Sequence, residues 1–187
     1  MWSLNSIEQI EIDGRQVIKA TLGLTYSEET IKFWPYKFNL SYTVTLSVDS
    51  LNCSLHINNL ELEEAFFCQA LLHTYLSIPN SSIENVKVDG FQSRPYIDKL
   101  IPPPGFCDGE ELPNGNLITQ EIDRIYITQF NIPDVITLSI KNDSQFDNII
   151  SVTANSFITS PDSTEKREID TDIVFWNPWI NKVIIDY

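Results

Sequence analysis

The chain is short of positive charge. Its 187 residues carry 12 lysines and arginines against 26 aspartates and glutamates, a formal net charge of −14. A surface that acidic repels nucleic acid and anionic membranes, so neither is an expected partner. An anionic ligand such as a phosphate would need a small local cluster of cations. Long apolar runs are missing too. None approaches the roughly 18–20 residues that cross a bilayer, so no membrane span is expected. The start, Met1-Trp2-Ser3-Leu4-Asn5-Ser6, has neither the basic region nor the apolar core of a secretory leader, and a cytoplasmic location is expected. Three cysteines, Cys53, Cys68 and Cys107, are an odd number without CxxC spacing, which excludes a complete disulfide framework and predicts free thiols. The two histidines, His56 and His73, do not combine with the cysteines at metal-ligand spacing, so no metal and no cofactor is expected. Helical periodicity is absent: no amphipathic spacing survives for three turns. No internal repeat and no break in composition marks a second domain. A single domain over residues 1–187 is expected.

What is present is alternation. Leu40, Tyr42, Val44, Leu46 and Val48 interleave with Asn39, Ser41, Thr43, Thr45 and Ser47. This is the pattern of an antiparallel strand with one face buried. Asp49-Ser50 can turn the chain back into residues 51–60, where Cys53, Leu55 and Ile57 would face inward. Ala20, Leu22, Leu24 and Tyr26 share one face of an earlier strand. Later strands are predicted at 66–76, 83–88, 122–128, 135–140, 149–154 and 172–176. Residues 100–117 hold Pro102, Pro103, Pro104, Gly105, Gly109, Pro113 and Gly115 and read as one long loop. Residues 160–169 read as a hairpin loop or a disordered tip. The fold class is all-β and largely antiparallel.

The stretch Gln69-Ala70-Leu71-Leu72-His73-Thr74-Tyr75-Leu76 puts a histidine into an apolar, strand-like run. On an extended strand His73 shares a face with Phe67, Gln69, Leu71 and Tyr75. Two roles fit it. It can bond a neighbouring strand, or it can line a polar, aromatic pocket and pass a proton near neutral pH. His56 shares a face with Asn52, Ser54 and Asn58 and reads as an exposed strand residue. Asp123, next to Arg124 at a strand start, reads by itself as half of a solvated ion pair. Trp34 reads as packing against a sheet. Trp176 and Trp179 fit packing or the rim of a pocket equally well.

Five blocks stand in order along the chain. They are Thr30-Ile31-Lys32-Phe33-Trp34-Pro35-Tyr36-Lys37-Phe38, the histidine octet, Val86-Lys87-Val88-Asp89-Gly90-Phe91 with Tyr96-Ile97-Asp98-Lys99, Glu121-Ile122-Asp123-Arg124-Ile125-Tyr126, and Val174-Phe175-Trp176-Asn177-Pro178-Trp179. In this order and spacing they resemble the glucose-6-phosphate 1-epimerases, or hexose-6-phosphate mutarotases, of the aldose-1-epimerase superfamily. The resemblance implies an antiparallel β-sandwich of the galactose-mutarotase type. It implies interconversion of the α and β anomers of a phosphorylated aldohexose by general acid–base catalysis, without a cofactor. It makes His73 the catalytic acid at the ring oxygen and Asp123 the carboxylate that holds the sugar. A hexose 6-phosphate or related aldose is then the expected partner.

The sequence also departs from the family. The family's Arg-Gly-Gly and His-Gly-Phe-Ala-Arg stretches, which supply a second histidine and phosphate-binding arginines, are not found. Neither is the strand with the general-base glutamate that follows the Trp-Asn-Pro turn. Glu110, Glu111 and Glu121 do not stand in that motif. The resemblance therefore implies a sandwich truncated at both ends and impaired in catalysis. It leaves open a non-catalytic sugar-binding or regulatory module, or a structural β-domain that binds a protein partner. Strands lost from a sandwich expose sheet edges, so a homodimer through those edges is expected.

Overall fold

Alternation builds an antiparallel meander from the first part of the chain. In the computed structural model, β1 (Ser3–Ile12), β2 (Arg15–Thr25), β3 (Phe38–Leu46) and β4 (Leu51–Asn59) pair in sequence order. The structure describes residues 1–61, 63–78, 83–109, 116–127, 135–142, 145–159, 166–169, 171–177 and 182–186. Asp13 and Gly14 make the β1–β2 turn with φ of 51° and 77°. Two consecutive positive φ values are what a two-residue hairpin of Asp-Gly type uses. Ser47 closes the β3–β4 turn. Its backbone N–H donates to the Ser50 carbonyl at 2.9 Å, and its hydroxyl accepts from the Ser50 N–H at 3.0 Å.

Register sorts the side chains of this meander. Tyr42 stands between Leu22 and Leu55, and Val44 between Ala20 and Cys53, all on one face. Strand β1 carries a bulge between Leu4 and Ser6. The extra residue shifts its parity, so that both Leu4 and Ile7 fall on the apolar face. The other face carries Thr21, Thr43 and Ser54, and His56 lies there opposite Ser41, exposed as expected. Trp34 packs, as read: its ring lies 4.9 Å from Phe38 and 4.7 Å from Phe66, and Phe38 is buried. Cys53 was expected inward and is exposed. It belongs to the apolar face, but it sits on β4, the last strand of this sheet.

The chain divides into two compact units, Met1–Gln69 and Ala70–Tyr187. The second holds a six-stranded sheet in the order β5 (His73–Ser77), β15 (Lys182–Asp186), β14 (Ile173–Asn177), β9 (Ile122–Tyr126), β7 (Tyr96–Asp98), β8 (Gly105–Cys107). It also holds a three-stranded sheet, β11 (Gln145–Thr153), β10 (Val135–Asn142), β6 (Val86–Asp89), and a hairpin of β12 (Ser156–Thr159) with β13 (Lys166–Ile169). Every described strand pairing is antiparallel. Alternate residues of the larger sheet, such as Ile173, Phe175, Val183 and Ile185, share one core with Val86, Val88, Ile136 and Leu138 of the smaller. Two sheets closing on a common core form a sandwich. Phe91 fills its centre, stacked on Tyr126 at 4.0 Å and 5.4 Å from Phe175. Each fully buried Val, Ile or Phe of this core contributes on the order of 1.5–3 kcal/mol.

Several strand boundaries differ from the sequence expectation. The strand expected at 66–76 begins only at His73. Its ladder runs from Ser77 opposite Lys182 to His73 opposite Asp186, and no described residue lies opposite the positions before it. Gln69 is therefore not on a strand with His73. The strand expected at 83–88 starts with a 3-10 turn, Ile83–Asn85, and becomes extended at Val86. The proline-rich loop contains a short strand, β8, which begins where the prolines that cannot donate to a ladder end. Strand β15 had no alternation to betray it, because Val183, Ile184 and Ile185 are all buried, on both faces. Residues 160–165 of the expected hairpin loop, together with Glu110, Glu111, Thr128, Pro178 and Trp179, lie outside the described residues.

Candidate active site

Residues opposite one another across an antiparallel pair point to the same side of the sheet. Tyr75 lies opposite Ile184, Ile184 opposite Trp176, and Trp176 opposite Asp123. The row continues at Lys99, whose backbone N–H donates to the Asp123 carbonyl at 2.9 Å. His73, two residues before Tyr75 on the same strand, shares that face. The structure therefore puts His73 and Asp123 on one side of one sheet, with Tyr75, Trp176 and Lys99 around them.

The rings on this face touch. The His73 imidazole stacks on Tyr75, with centroids 4.7 Å apart and planes inclined by 26°. It meets the Trp176 indole edge-on at 6.4 Å and 88°. Ile184, buried, forms the floor between β5 and β14. At the other end of the row, Lys99 Nζ lies 2.9 Å from Asp123 Oδ1. The Asp123 side chain is 19% exposed and that of Lys99 44%, so the carboxylate is held from one side and open on another.

Arg124 is not the partner of Asp123. Consecutive residues of a strand face opposite ways, and Arg124 turns into the sandwich core. Its guanidinium lies 4.1 Å from the Tyr96 ring centroid, and its Nε donates to Asp98 Oδ2 at 3.3 Å. Burial by itself would lower the pKa of Arg124. Tyr126, Tyr96 and Asp98 outweigh it and hold the group more firmly protonated than usual. Burial, partly offset by the charge of Arg124, pushes the Tyr96 hydroxyl up to about 12. Tyr126 is raised by the same burial. This network lies directly behind Asp123 and fixes β9 in place.

Asp89, in one of the blocks that carried the family resemblance, has a structural setting. It accepts from Gln92 Nε2 at 2.8 Å and Asn116 Nδ2 at 2.9 Å, and pairs with Lys87 Nζ at 2.8 Å. These bonds lock the turn after β6. Tyr75 shares the face of His73 as the sequence parity implied, whereas Lys99 is the residue the sequence did not single out. Lys99 was legible in principle, since it follows Asp98 on an extended segment and must point away from the core that Asp98 enters. A shallow depression of about 290 Å³ lies in the first unit, lined by residues such as Gln9, Val17 and Val48, and involves none of the candidates.

The second unit is thus an antiparallel sandwich that carries a histidine, a paired carboxylate and aromatic rings on one sheet face. The chain is a member of the aldose 1-epimerase family, whose sequence model matches residues 1–186. It is 29% identical over 184 residues to a protein of Escherichia coli (strain K12) described as "Putative glucose-6-phosphate 1-epimerase". It is 25% identical over 186 residues to one of Cenchrus ciliaris with the same description. These alignments cover 95% and 97% of this chain but 48% and 49% of the relatives, so the chain spans about half the length of the curated proteins it matches. Among solved structures, a "putative mutarotase" from Salmonella typhimurium superposes with a TM-score of 0.63 at 21% identity, over 99% of this chain and 56% of its own. A galactose mutarotase-like protein from Clostridium acetobutylicum gives 0.58 at 14%, over 99% and 55%. At those identities the likeness concerns the fold, which is galactose mutarotase-like.

Proposed function

We propose that this chain carries the acid side of a hexose-6-phosphate mutarotase site. The observation that carries the proposal is the shared face of His73 and Asp123, bridged by Trp176. In mutarotation a proton reaches the ring oxygen while another leaves the anomeric hydroxyl. The bond from C1 to the ring oxygen breaks and an aldehyde forms. Rotation about C1–C2 and reclosure give the other anomer. His73 supplies the first proton, a role open to an imidazole because its ring nitrogens can both hold and give up a proton. Asp123 accepts hydrogen bonds from sugar hydroxyls, with Lys99 keeping the carboxylate in position. Trp176 and Tyr75 present aromatic surface to the sugar's C–H edges. The names of the two curated relatives support a phosphorylated aldose, and Lys99 puts a cation on the face where a phosphate would be met. The three free thiols suit a reducing compartment and support a cytoplasmic location.

Among the described residues gathered on this face, none is placed to take the anomeric proton. Asp123 is engaged by Lys99. Loss of one acid–base partner commonly costs about two to four orders of magnitude in rate. On this reading, slow turnover is the expected behaviour of these 187 residues by themselves. The test is anomerisation of glucose 6-phosphate followed by NMR exchange. Weak turnover that His73→Ala abolishes is the expected result. Turnover that survives His73→Ala unchanged rejects the site. Because the base is missing from the gathered set, a second reading stands beside the first: a sugar-binding module without turnover. It is distinguished by glucose 6-phosphate binding that depends on Asp123 with no anomerisation at all.

A further inference from the structure

His73 and Tyr75 stand two residues apart on β5 and face the same way. Same-face neighbours on a strand start from backbone points roughly 6.6–6.8 Å apart. Their ring centroids are nonetheless 4.7 Å apart, with planes inclined by 26°. The two rings therefore lean together into a stack instead of standing side by side. His73 is the first residue of β5, so the strand offers it a same-face neighbour on one side alone, and that neighbour is Tyr75. Tyr75 has backing of its own: its cross-strand partner is Ile184, which is buried.

A stack fixes the tilt of the imidazole but leaves it able to spin in its own plane. The Trp176 indole supplies the second restraint. It stands at 88° to the imidazole, 6.4 Å away on the far side of β15. A face contact and an edge contact together oppose rotation about both side-chain torsions of His73. Orientation matters here because each ring N–H of an imidazole lies in the ring plane. A proton passes well only along a nearly straight line from donor to acceptor. Whatever sets the plane therefore sets the line along which the proton reaches the sugar's ring oxygen.

We propose that Tyr75 is the positioning residue of the proton donor: its ring, with the Trp176 edge as a stop, holds the His73 imidazole in the plane from which the proton is delivered. The proposal rests on the reading of His73 as the acid of a mutarotase site. It gives Tyr75 a part in the chemical step, beyond the aromatic surface it presents to the sugar. Losing the stack should then slow turnover while leaving affinity nearly intact. A residue that only bound the sugar would do the reverse.

The experiment uses the full chain and has two readouts. The first is the NMR spectrum of the histidine ring protons. The chain has two histidines, so a His56→Gln variant assigns both. The His73 signals should be displaced upfield, because the imidazole lies over the face of the Tyr75 ring. Tyr75→Leu should remove most of the displacement and Tyr75→Phe should keep it. Dispersed methyl signals from the core show that each variant is folded. The second readout is anomerisation of glucose 6-phosphate. Tyr75→Leu should lower kcat by about ten- to a hundredfold, the cost of a misplaced catalytic group. KM, which follows binding when chemistry is slow, should change by less than about twofold. Tyr75→Phe should retain most of kcat, because the stack needs the ring and not the hydroxyl. His73 signals that stay in place in Tyr75→Leu overturn the proposal. So does a raised KM at wild-type kcat, which would make Tyr75 a sugar-binding surface alone. The mutarotase reading survives both of those results. Turnover that is absent, or indifferent to His73→Ala, overturns that reading itself, and the positioning role falls with it.

Discussion

Asp123 on β9 and Trp176 on β14 are direct cross-strand partners, and the Trp176 indole reaches back to meet His73 edge-on. One indole thus links the proposed proton donor to the proposed sugar-holding carboxylate. Its fluorescence is a natural reporter of a sugar bound between them.

The Lys99–Asp123 contact separates stability from binding. The Lys99 side chain is 44% exposed, so Lys99→Met should cost stability less than about 1 kcal/mol. It should weaken glucose 6-phosphate binding by about tenfold, the effect of one lost charge-assisted contact. Lys99→Arg should keep most of the affinity. Tryptophan fluorescence titration measures both variants, and equal affinity in wild type and Lys99→Met would remove Lys99 from the site.

Asp98→Ala should be far more damaging than any change at Lys99. Asp98 faces Arg124 inside the core, and removing it leaves a buried guanidinium uncompensated. The expected loss is about 3 kcal/mol. A urea titration read by near-ultraviolet circular dichroism would show it as an earlier midpoint. Wild-type behaviour would mean that the Tyr96 ring is sufficient to hold the charge.

Gly90 follows β6 at φ +112°, and an added Cβ would collide with the Val135 carbonyl oxygen. That carbonyl belongs to the paired strand β10, which cannot move without breaking its ladder. Gly90→Ala should therefore cost at least about 2 kcal/mol from backbone strain alone. Gly14→Ala has positive φ but open space around it and should cost less. Thermal unfolding of the two variants side by side tests the ranking.

Asp89 gives the protein an acid limb. Burial by itself would raise its pKa, but the bonds from Lys87, Asn116 and Gln92 and the charge of Lys87 hold it below the ordinary 3.8. A carboxyl with a lower pKa in the folded than in the unfolded chain adds stability above the unfolded value, lost as pH falls through the folded one. Wild type should thus be more stable than Asp89→Asn at neutral pH, and the gap should close below about pH 4. A gap of constant size down to about pH 2 would show that Asp89 is not the group responsible.

The amino-acid sequence alone determined the local periods. Alternation in residues 39–60 made β3, its turn and β4 legible, because a strand with one apolar face writes its parity into consecutive residues. The absence of 3.6-residue spacing excluded helices for the same reason. Five ordered blocks pointed to the family. Tertiary structure decided what depends on a partner far along the chain. Strand β5 starts at His73 because of where its ladder with β15 runs. Strand β15 is apolar on both faces and shows no period, and the bulge in β1 hid its parity. Register across β9, β14, β15 and β5 is what set His73, Trp176 and Asp123 on one face. It also gave Asp123 to Lys99 and Arg124 to Asp98. No local pattern encodes such pairings, since they arise only when strands distant in sequence hydrogen-bond in one alignment.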